Sequence, residues 1–140
     1  DIAELAGYFN EYFDVACVQH DYTPKSQRKY LGNVQYQYPR KNWSSMMLFN
    51  CANCRTLTPE YVNTATPASL HRMYWADTVG SVPLEWNWLV GEYEHNPSAK
   101  LIHWTIGGPW FREFEKTEYA EEWYSALECA THVKDKAGRL

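Results

Sequence analysis

The residue with the clearest chemical potential is a histidine at the end of an apolar stretch. His103 lies in the segment 101–104 and is followed closely by Gly107 and Gly108. Imidazole binds divalent metals, and glycine lets backbone N–H groups approach an anion, so this pattern suits a metal or phosphate site. The alternative is a core histidine with internal hydrogen bonds, followed by glycines that form an ordinary tight turn.

Three further groups of residues could bind a polar ligand. Asp77 precedes Gly80 in a loop and could orient a ligand, although a carboxylate there is more often a helix-end or surface group. Arg40 and Lys41 could hold a phosphate, but adjacent cations commonly form a solvated edge. Four tryptophans could stack on sugar rings or fill the core: Trp86, Trp88, Trp104 and Trp110.

The four cysteines favour neither a metal site nor a redox motif. Cys51 and Cys54 form a single C-x-x-C, whereas Cys17 and Cys129 are isolated. A zinc site needs a second pair, or histidines at compatible spacing. We interpret all four as reduced, partly buried thiols of an intracellular protein.

The elements that position these residues alternate loosely between helix and strand. In the first part of the chain we predict a short helix over 1–10, a buried strand over 13–18 and a long loop over 19–40. Loops of that length in compact domains are often functional. A continuous apolar run then predicts a strand over 43–50 that is covered on both faces.

The remainder of the chain begins with a helix for which Thr58 is the predicted N-cap. A second short helix over 67–75, a strand over 101–104 and an amphipathic helix over 119–132 follow, with a polar, frayed tail over 134–140. Only about three strands are convincing, and the chain opens directly in a helix. We therefore expect an α/β segment that forms the second half of a larger domain.

Composition excludes several classes of protein. The chain has 140 residues, is 45% hydrophobic and carries a net charge of -4, which predicts one folded domain over 1–140. It contains no run of about 18 apolar residues and no start that resembles a signal peptide, so we expect a cytoplasmic protein without a membrane span. The mild acidity predicts no binding to nucleic acid or to anionic membranes. The aromatic share of 16% fits a core, a sugar platform or an interface.

Four segments, taken together and in order, resemble the family-eight glycosyltransferases, especially a bacterial subgroup. They are 1–5, 40–50, 83–90 and 101–110. The resemblance implies the C-terminal half of a GT-A-type fold, a mixed sheet with flanking helices that binds nucleotide-diphosphate sugars. It also implies a divalent metal, Mn²⁺ or Mg²⁺, which neutralises the diphosphate leaving group while an acceptor hydroxyl attacks the sugar carbon.

The resemblance also assigns roles to individual residues. It makes His103 a metal ligand and places Asp77 near the reacting sugar, as a catalytic residue. Asn42, Ser44 and Ser45 lie where the family has a segment that faces the donor sugar, and either Asn42 or Ser44 could take that role.

The glycine turn is assigned to the donor diphosphate in the same way. Gly107 and Gly108 would bind it through backbone N–H groups, with Gly108 standing where the family usually has a lysine. Asn87 matches a position that is structural in the family.

One family motif has no counterpart here. The sequence contains no D-x-D, which precedes the matched segments in the family. We therefore expect a fragment or truncated relative of a metal-dependent, retaining glycosyltransferase that is inactive alone and moves a sugar from a nucleotide-diphosphate donor to an acceptor hydroxyl. The alternative is a non-catalytic carbohydrate-binding or protein-interaction module. Missing strands would leave the strand near Val15 without a neighbour, which predicts a homodimer through an exposed sheet edge.

Overall fold

A computed structural model describes residues 1–137, with side chains described as far as Thr131. Its strands are β1 (Val15–Cys17), β2 (Met47–Phe49), β3 (Val79–Ser81), β4 (Trp88–Leu89) and β5 (Ile102–His103). One sheet has the order β2-β1-β3, in which β1 pairs antiparallel with β2 and parallel with β3. β4 and β5 form a second, parallel sheet. The fold is therefore mixed α/β, as predicted, with a small mixed sheet and flanking helices.

The helices are α1 (Pro59–Thr64), α2 (Pro67–His71) and α3 (Ala120–Ala137). Thr58 caps α1 as predicted, since its hydroxyl accepts a hydrogen bond from the backbone N–H of Tyr61. Thr66 caps α2 in the same way, through the N–H of Ser69. Short 3₁₀ helices lie at Ile2–Tyr8, Tyr30–Gly32, Trp43–Ser45, Leu84–Asn87 and Arg112–Phe114.

The core lies on both faces of β1, whose three residues are all buried. Side chains alternate across a strand, so Val15 and Cys17 pack in one cluster with Met73 and Trp75, and Ala16 packs in another. The second cluster also contains Phe13, Val18, Met46, Val82 and Trp86. Burial raises the pKa of the Cys17 thiol to about 12, which keeps it protonated.

β2 differs from the strand expected over 43–50. Trp43–Ser45 forms a 3₁₀ helix, which follows the left-handed backbone of Asn42 at φ 62°. β2 lies at the edge of its sheet, and the side chain of Phe49 is 37% exposed. Met47 packs against one core cluster and Leu48 against the other, so both faces of β2 contact the core as predicted, whereas its edge position and the partly exposed Phe49 could not be read from the apolar run.

The opening segment and the neighbours of β1 also correct the sequence analysis. The first helix is a 3₁₀ helix with a capping box, in which Asp1 accepts from the N–H of Ala3 and pairs reciprocally with Glu4. β1 has a partner strand on each side, so the expectation of an unpaired edge near Val15 is wrong. The edges of this sheet are β2 and β3.

α3 is longer than predicted and packs less. It continues to Ala137, beyond the predicted end at 132, and the rest of the predicted tail, 138–140, lies outside the described residues. Ala120 is buried, but Leu127, on the predicted apolar stripe, is 45% exposed. No helix within the described residues has the length and apolar character needed to cross a membrane.

Candidate functional site

A cleft of about 560 Å³ opens beside the second sheet, and we call it the first cleft. Its walls come from the predicted long loop, the segment after it, the end of β5 and the turn that follows. The polar and aromatic residues that define it include Asn42, Ser45, Asn87, His103, Trp104 and Trp110. The sequence analysis named each of these residues, but not as one group.

Asn87 organises the floor of the first cleft. It is completely buried, and its amide nitrogen donates to the Ser45 hydroxyl at 2.7 Å and to the Asn42 carbonyl at 3.3 Å. Its amide oxygen lies 3.2 Å from Nδ1 of His103. One buried amide therefore joins the second sheet to the segment before β2.

These partners determine the tautomer of His103. A carbonyl only accepts hydrogen bonds, so the amide nitrogen of Asn87 must face Asn42 and its oxygen must face His103. Nδ1 of His103 then carries the proton and donates it to Asn87. Burial, followed by the nearby charge of Lys29, lowers the pKa of His103 and favours the neutral ring.

His103 is therefore a neutral imidazole whose Nε2 has a lone pair. Within the described part of the chain, Nε2 forms no hydrogen bond. Such a nitrogen can accept a proton or hydrogen bond from a hydroxyl, or bind a metal, while the opposite nitrogen is held by a carbonyl oxygen. The alternative that His103 is a core histidine with internal hydrogen bonds therefore holds for Nδ1 but not for Nε2.

Asn42 forms the wall opposite this histidine. Asparagine tolerates the left-handed backbone that this position adopts. Its amide nitrogen donates to the hydroxyl of Tyr22 at 2.7 Å and to that of Thr105 at 3.1 Å. The Asn42 side chain is thereby tied both to the long loop and to the end of the second sheet.

Aromatic rings form the open side of the first cleft. Tyr30 and Phe111 stack with ring centres 4.8 Å apart, and Trp104 meets Trp110 edge to face at 6.0 Å. Trp110 is 53% exposed, so part of its ring is available to a ligand. Of the four tryptophans considered, Trp104 and Trp110 line the cleft, whereas Trp86 is in the core.

The glycine turn serves close packing rather than an unusual backbone conformation. Neither Gly107 nor Gly108 has a positive φ. A Cβ on Gly107 would overlap the ring of Phe114, and one on Gly108 would overlap the indole of Trp110. Both glycines are buried, and within residues 1–137 their N–H groups donate to no backbone or side-chain acceptor.

The structure separates the predicted site residues into two groups. Asn42, Ser45, His103 and Gly108 meet at the first cleft, with Gly107 adjacent to it in the chain. Ser44 and Asp77 lie apart from this group. Either Asn42 or Ser44 was expected to face the donor sugar, and of the two only Asn42 lines the first cleft.

Ser44 and Asp77 are not among the residues that line the first cleft. The hydroxyl of Ser44 lies 2.9 Å from Nδ1 of His71. Asp77 is exposed before β3, and its backbone N–H donates to the carboxylate of Asp14 at 2.7 Å. A catalytic role for Asp77 stays a prediction, and it would require an arrangement in which Asp77 approaches the ligand.

Sequence reasoning missed the central role of Asn87 and the contributions of Lys29 and Tyr30. An asparagine between Trp86 and Trp88, in an otherwise apolar segment, was the available signal, because a polar residue in such a run needs buried partners. The loop residues carried no comparable pattern.

The described residues contain no cluster for a metal ion, and two of the four cysteines are exposed. Among the described residues, no group of three or more His, Cys, Asp or Glu side chains could hold a metal ion. Cys17 is buried and the thiol of Cys54 donates to the Asp14 carbonyl, but Cys51 and Cys129 are exposed. The description of all four thiols as partly buried is therefore wrong for the last two.

Comparison with known proteins changes the interpretation of the sequence. The chain is similar to Protein CDI of Arabidopsis thaliana, with 46% identity over 137 residues, a match that covers 91% of this chain and 53% of that protein. The chain thus spans about half the length of the curated relative it matches. No protein-family model matches the chain. No solved structure matches it either.

The resemblance to the family-eight glycosyltransferases is therefore wrong as an identification. The match to Protein CDI covers 91% of this chain, and no family model, of a glycosyltransferase or of any other family, matches the chain. The four matched segments were short, and tryptophans and glycines contribute much of their likeness. Such residues recur in unrelated proteins for packing reasons, as Trp86 and Gly107 do here.

Proposed function

We propose that the first cleft binds the sugar of a nucleotide-diphosphate donor, and that the longer protein transfers this sugar to an acceptor hydroxyl. One observation carries the proposal: a neutral imidazole, fixed by Asn87, lies in a cleft with tryptophan walls. Aromatic faces pack against the apolar faces of sugar rings, and a buried hydrogen-bond acceptor selects a hydroxyl. His103 would accept from a sugar or acceptor hydroxyl through Nε2.

The edge of the same cleft suits a phosphate. Lys29 lines it, and no described carboxylate forms an ion pair with Lys29. The N–H group of Gly108, which lines the cleft and donates to no acceptor among the described residues, adds a donor that needs no cation of its own, and the N–H of Gly107 lies next to it in the chain. These features support a diphosphate next to the sugar, in half of a GT-A-type nucleotide-sugar fold whose remaining strands come from the longer protein.

A divalent metal is a proposal for the longer protein only. Mn²⁺ and Mg²⁺ prefer about six ligands that are mainly oxygens, and the described residues offer a single imidazole at the cleft. The residues of this chain therefore do not fit a complete metal site. The contribution that we assign to His103 is a hydrogen bond to a hydroxyl, which needs no metal.

Tryptophan fluorescence tests the proposal, since Trp104 and Trp110 line the cleft. We expect UDP-glucose to change the fluorescence of the chain, and His103→Ala to weaken that binding at least tenfold. His71→Ala, which changes an exposed histidine outside the cleft, is the matched control. Equal affinity of the wild type and His103→Ala would contradict the proposal.

The second candidate is a non-catalytic carbohydrate-binding module, and the exposed ring of Trp110 favours it. The two candidates differ in their need for phosphate. A nucleotide-sugar site should lose affinity in Lys29→Met and bind free glucose poorly. A carbohydrate-binding module should bind a free oligosaccharide as well as UDP-glucose and be insensitive to Lys29→Met.

A cytoplasmic location and a homodimer remain predictions from the sequence. For a dimer, or for the alternative of a protein-interaction module, the exposed apolar side chains of α3 offer more surface than β1, which is fully paired. Tyr124 and Leu127 are 43% and 45% exposed. Light scattering of the wild type and of Leu127→Glu would show whether this helix mediates self-association.

A further inference from the structure

A second cleft, of about 650 Å³, lies on the other side of the wall formed by Asn42 and Tyr22. We call it the second cleft. The proposed function does not use it, and its Arg40 and Lys41 are the adjacent cations for which the sequence left open either a phosphate site or a solvated edge. The long loop and the segment after it provide its lining, which includes Asp21, Tyr22, Gln37, Tyr38, Arg40 and Lys41. Two cations and one exposed carboxylate therefore face the same space.

Lys41 is unusual because it is a buried cation. Only 7% of it is exposed, and its ammonium donates to the Tyr36 carbonyl at 2.9 Å and lies 4.6 Å from the centre of the Tyr38 ring. No ion pair joins Lys41 to a carboxylate in the described part of the chain. Burial without a direct ion pair disfavours the charged form of Lys41, and an anion in the cleft would favour it.

Glu92 is the acidic residue that acts on the pKa of Lys41, and its carboxylate already accepts two hydrogen bonds. Glu92 acts to raise the pKa of Lys41, but burial and then Lys29 act more strongly in the opposite direction. One carboxylate oxygen of Glu92 accepts from the N–H of Lys25 at 2.8 Å, and the other accepts from the Gln35 amide at 3.0 Å. Both donors are neutral, so Glu92 keeps its negative charge and offsets part of the charge of Lys41, although no ion pair joins the two side chains.

Arg40 is held beside Lys41 by a constrained backbone and two contacts. Its φ is 58°, in the left-handed region that an arginine rarely adopts. Its guanidinium donates to the Arg72 carbonyl at 2.6 Å and lies 5.3 Å from the centre of a Trp43 ring. These contacts use one of the five N–H donors of the guanidinium, so others remain for a ligand.

We propose that the second cleft binds a phosphate-bearing anion between Lys41 and Arg40. Two adjacent cations match a doubly charged phosphate better than a singly charged carboxylate, and arginine pairs with phosphate oxygens in a bidentate geometry. Asp21 opposes such an anion, but it is exposed to solvent, which screens its charge. This site is independent of sugar binding in the first cleft.

Calorimetric titration of the chain with pyrophosphate at low ionic strength tests the proposal. We expect saturable binding that weakens as salt is added, and a loss of at least tenfold in affinity for Lys41→Met. Lys116→Met removes an exposed cation outside the second cleft and should bind as the wild type does. Absence of binding to the wild type, or equal binding by Lys41→Met, would overturn the proposal.

A second variant decides the question if Lys41→Met does not fold. Gln37 lines the second cleft and its amide donates to the Tyr22 carbonyl at 3.0 Å, so Gln37→Glu removes that bond and places in the cleft a carboxylate that would repel an anion. We expect pyrophosphate binding to be lost while the variant stays folded. Gln27→Glu makes the same charge change at an exposed position outside the cleft and should retain binding. Unchanged binding by Gln37→Glu would overturn the proposal as well.

Discussion

The two clefts share a wall, but in the described part of the chain the first contains a neutral hydrogen-bonded network with one free acceptor, Nε2 of His103, whereas the second contains charged side chains. In the first cleft, the buried amide of Asn87 uses both of its ends, and His103 is neutral and held. In the second, Lys41 is buried without a carboxylate, and Nε2 of the bordering His20 has no partner among the described residues. A buried hydrogen-bond network fixes the geometry of the first cleft, whereas a buried cation without an ion pair favours binding of an anion in the second.

Replacement of Asn87 should have the largest effect on the first cleft. Asn87→Leu leaves the Nδ1–H of His103 without its partner, and we expect the free energy of unfolding to fall by about 3 kcal/mol. Urea unfolding would measure the loss. Asn63→Leu, at an exposed position on α1, should cost far less. A loss equal to that of the control would mean that the network does not hold the first cleft together.

Lowering the pH should have the next largest effect on stability, chiefly through His20, which lines the second cleft. Burial lowers the pKa of His20 to about 4 in the folded chain, and His103 adds to this by repulsion. Because the unfolded histidine has an ordinary pKa near 6.5, stability is complete above that value and falls as the pH decreases toward 4. Between pH 7 and 5 we expect a loss of about 2 kcal/mol from His20 alone.

Unfolding of His20→Gln over the same pH range checks this expectation. The variant should lose stability less steeply than the wild type, while the lowered pKa of His103 keeps part of the dependence. His71→Gln, which changes an exposed histidine, should follow the wild type. Parallel curves for His20→Gln and the wild type would show that His20 is not held neutral.

Removal of the Tyr22 hydroxyl, which accepts a hydrogen bond from Asn42 in the wall between the clefts, should lower stability. Tyr22→Phe removes the acceptor of the Asn42 amide, which keeps only Thr105, so we expect about 1 kcal/mol of destabilisation. Tyr36→Phe is the matched control, because Tyr36 is 70% exposed and bonds through its carbonyl. If both variants were equally stable, the wall would not depend on this bond.

The smallest effect on stability is expected at the glycine turn. Gly108→Ala needs no strained φ, and the half-exposed Trp110 can move away from a new Cβ. We expect a loss below about 1 kcal/mol because the indole can give way, together with a several-fold loss of UDP-glucose affinity. The reverse pattern, lower stability with intact affinity, would make the turn purely structural.

Local signals in the sequence predicted several elements well. Thr58 before a proline predicted the start of α1, because both residues act within one helical turn. The apolar segment around Ala16 predicted β1, and the long loop after it was singled out as a candidate functional segment. β3 was missed because Gly80 reads as a loop residue, whereas here glycine lets the strand pack against Phe13, which a Cβ would approach to 2.8 Å.

The sequence by itself determined the mixed α/β class, the Thr58 cap of α1 and several of the residues that line the first cleft. These depend on neighbours within a few positions, which a single chain displays directly. Only the tertiary structure decided that Asn87 bonds Asn42, 45 positions away, that Asp77 lies outside the cleft, and that Lys41 is buried. Burial and long-range hydrogen bonds arise when distant segments meet, so they set tautomers and buried charges that no local pattern can show.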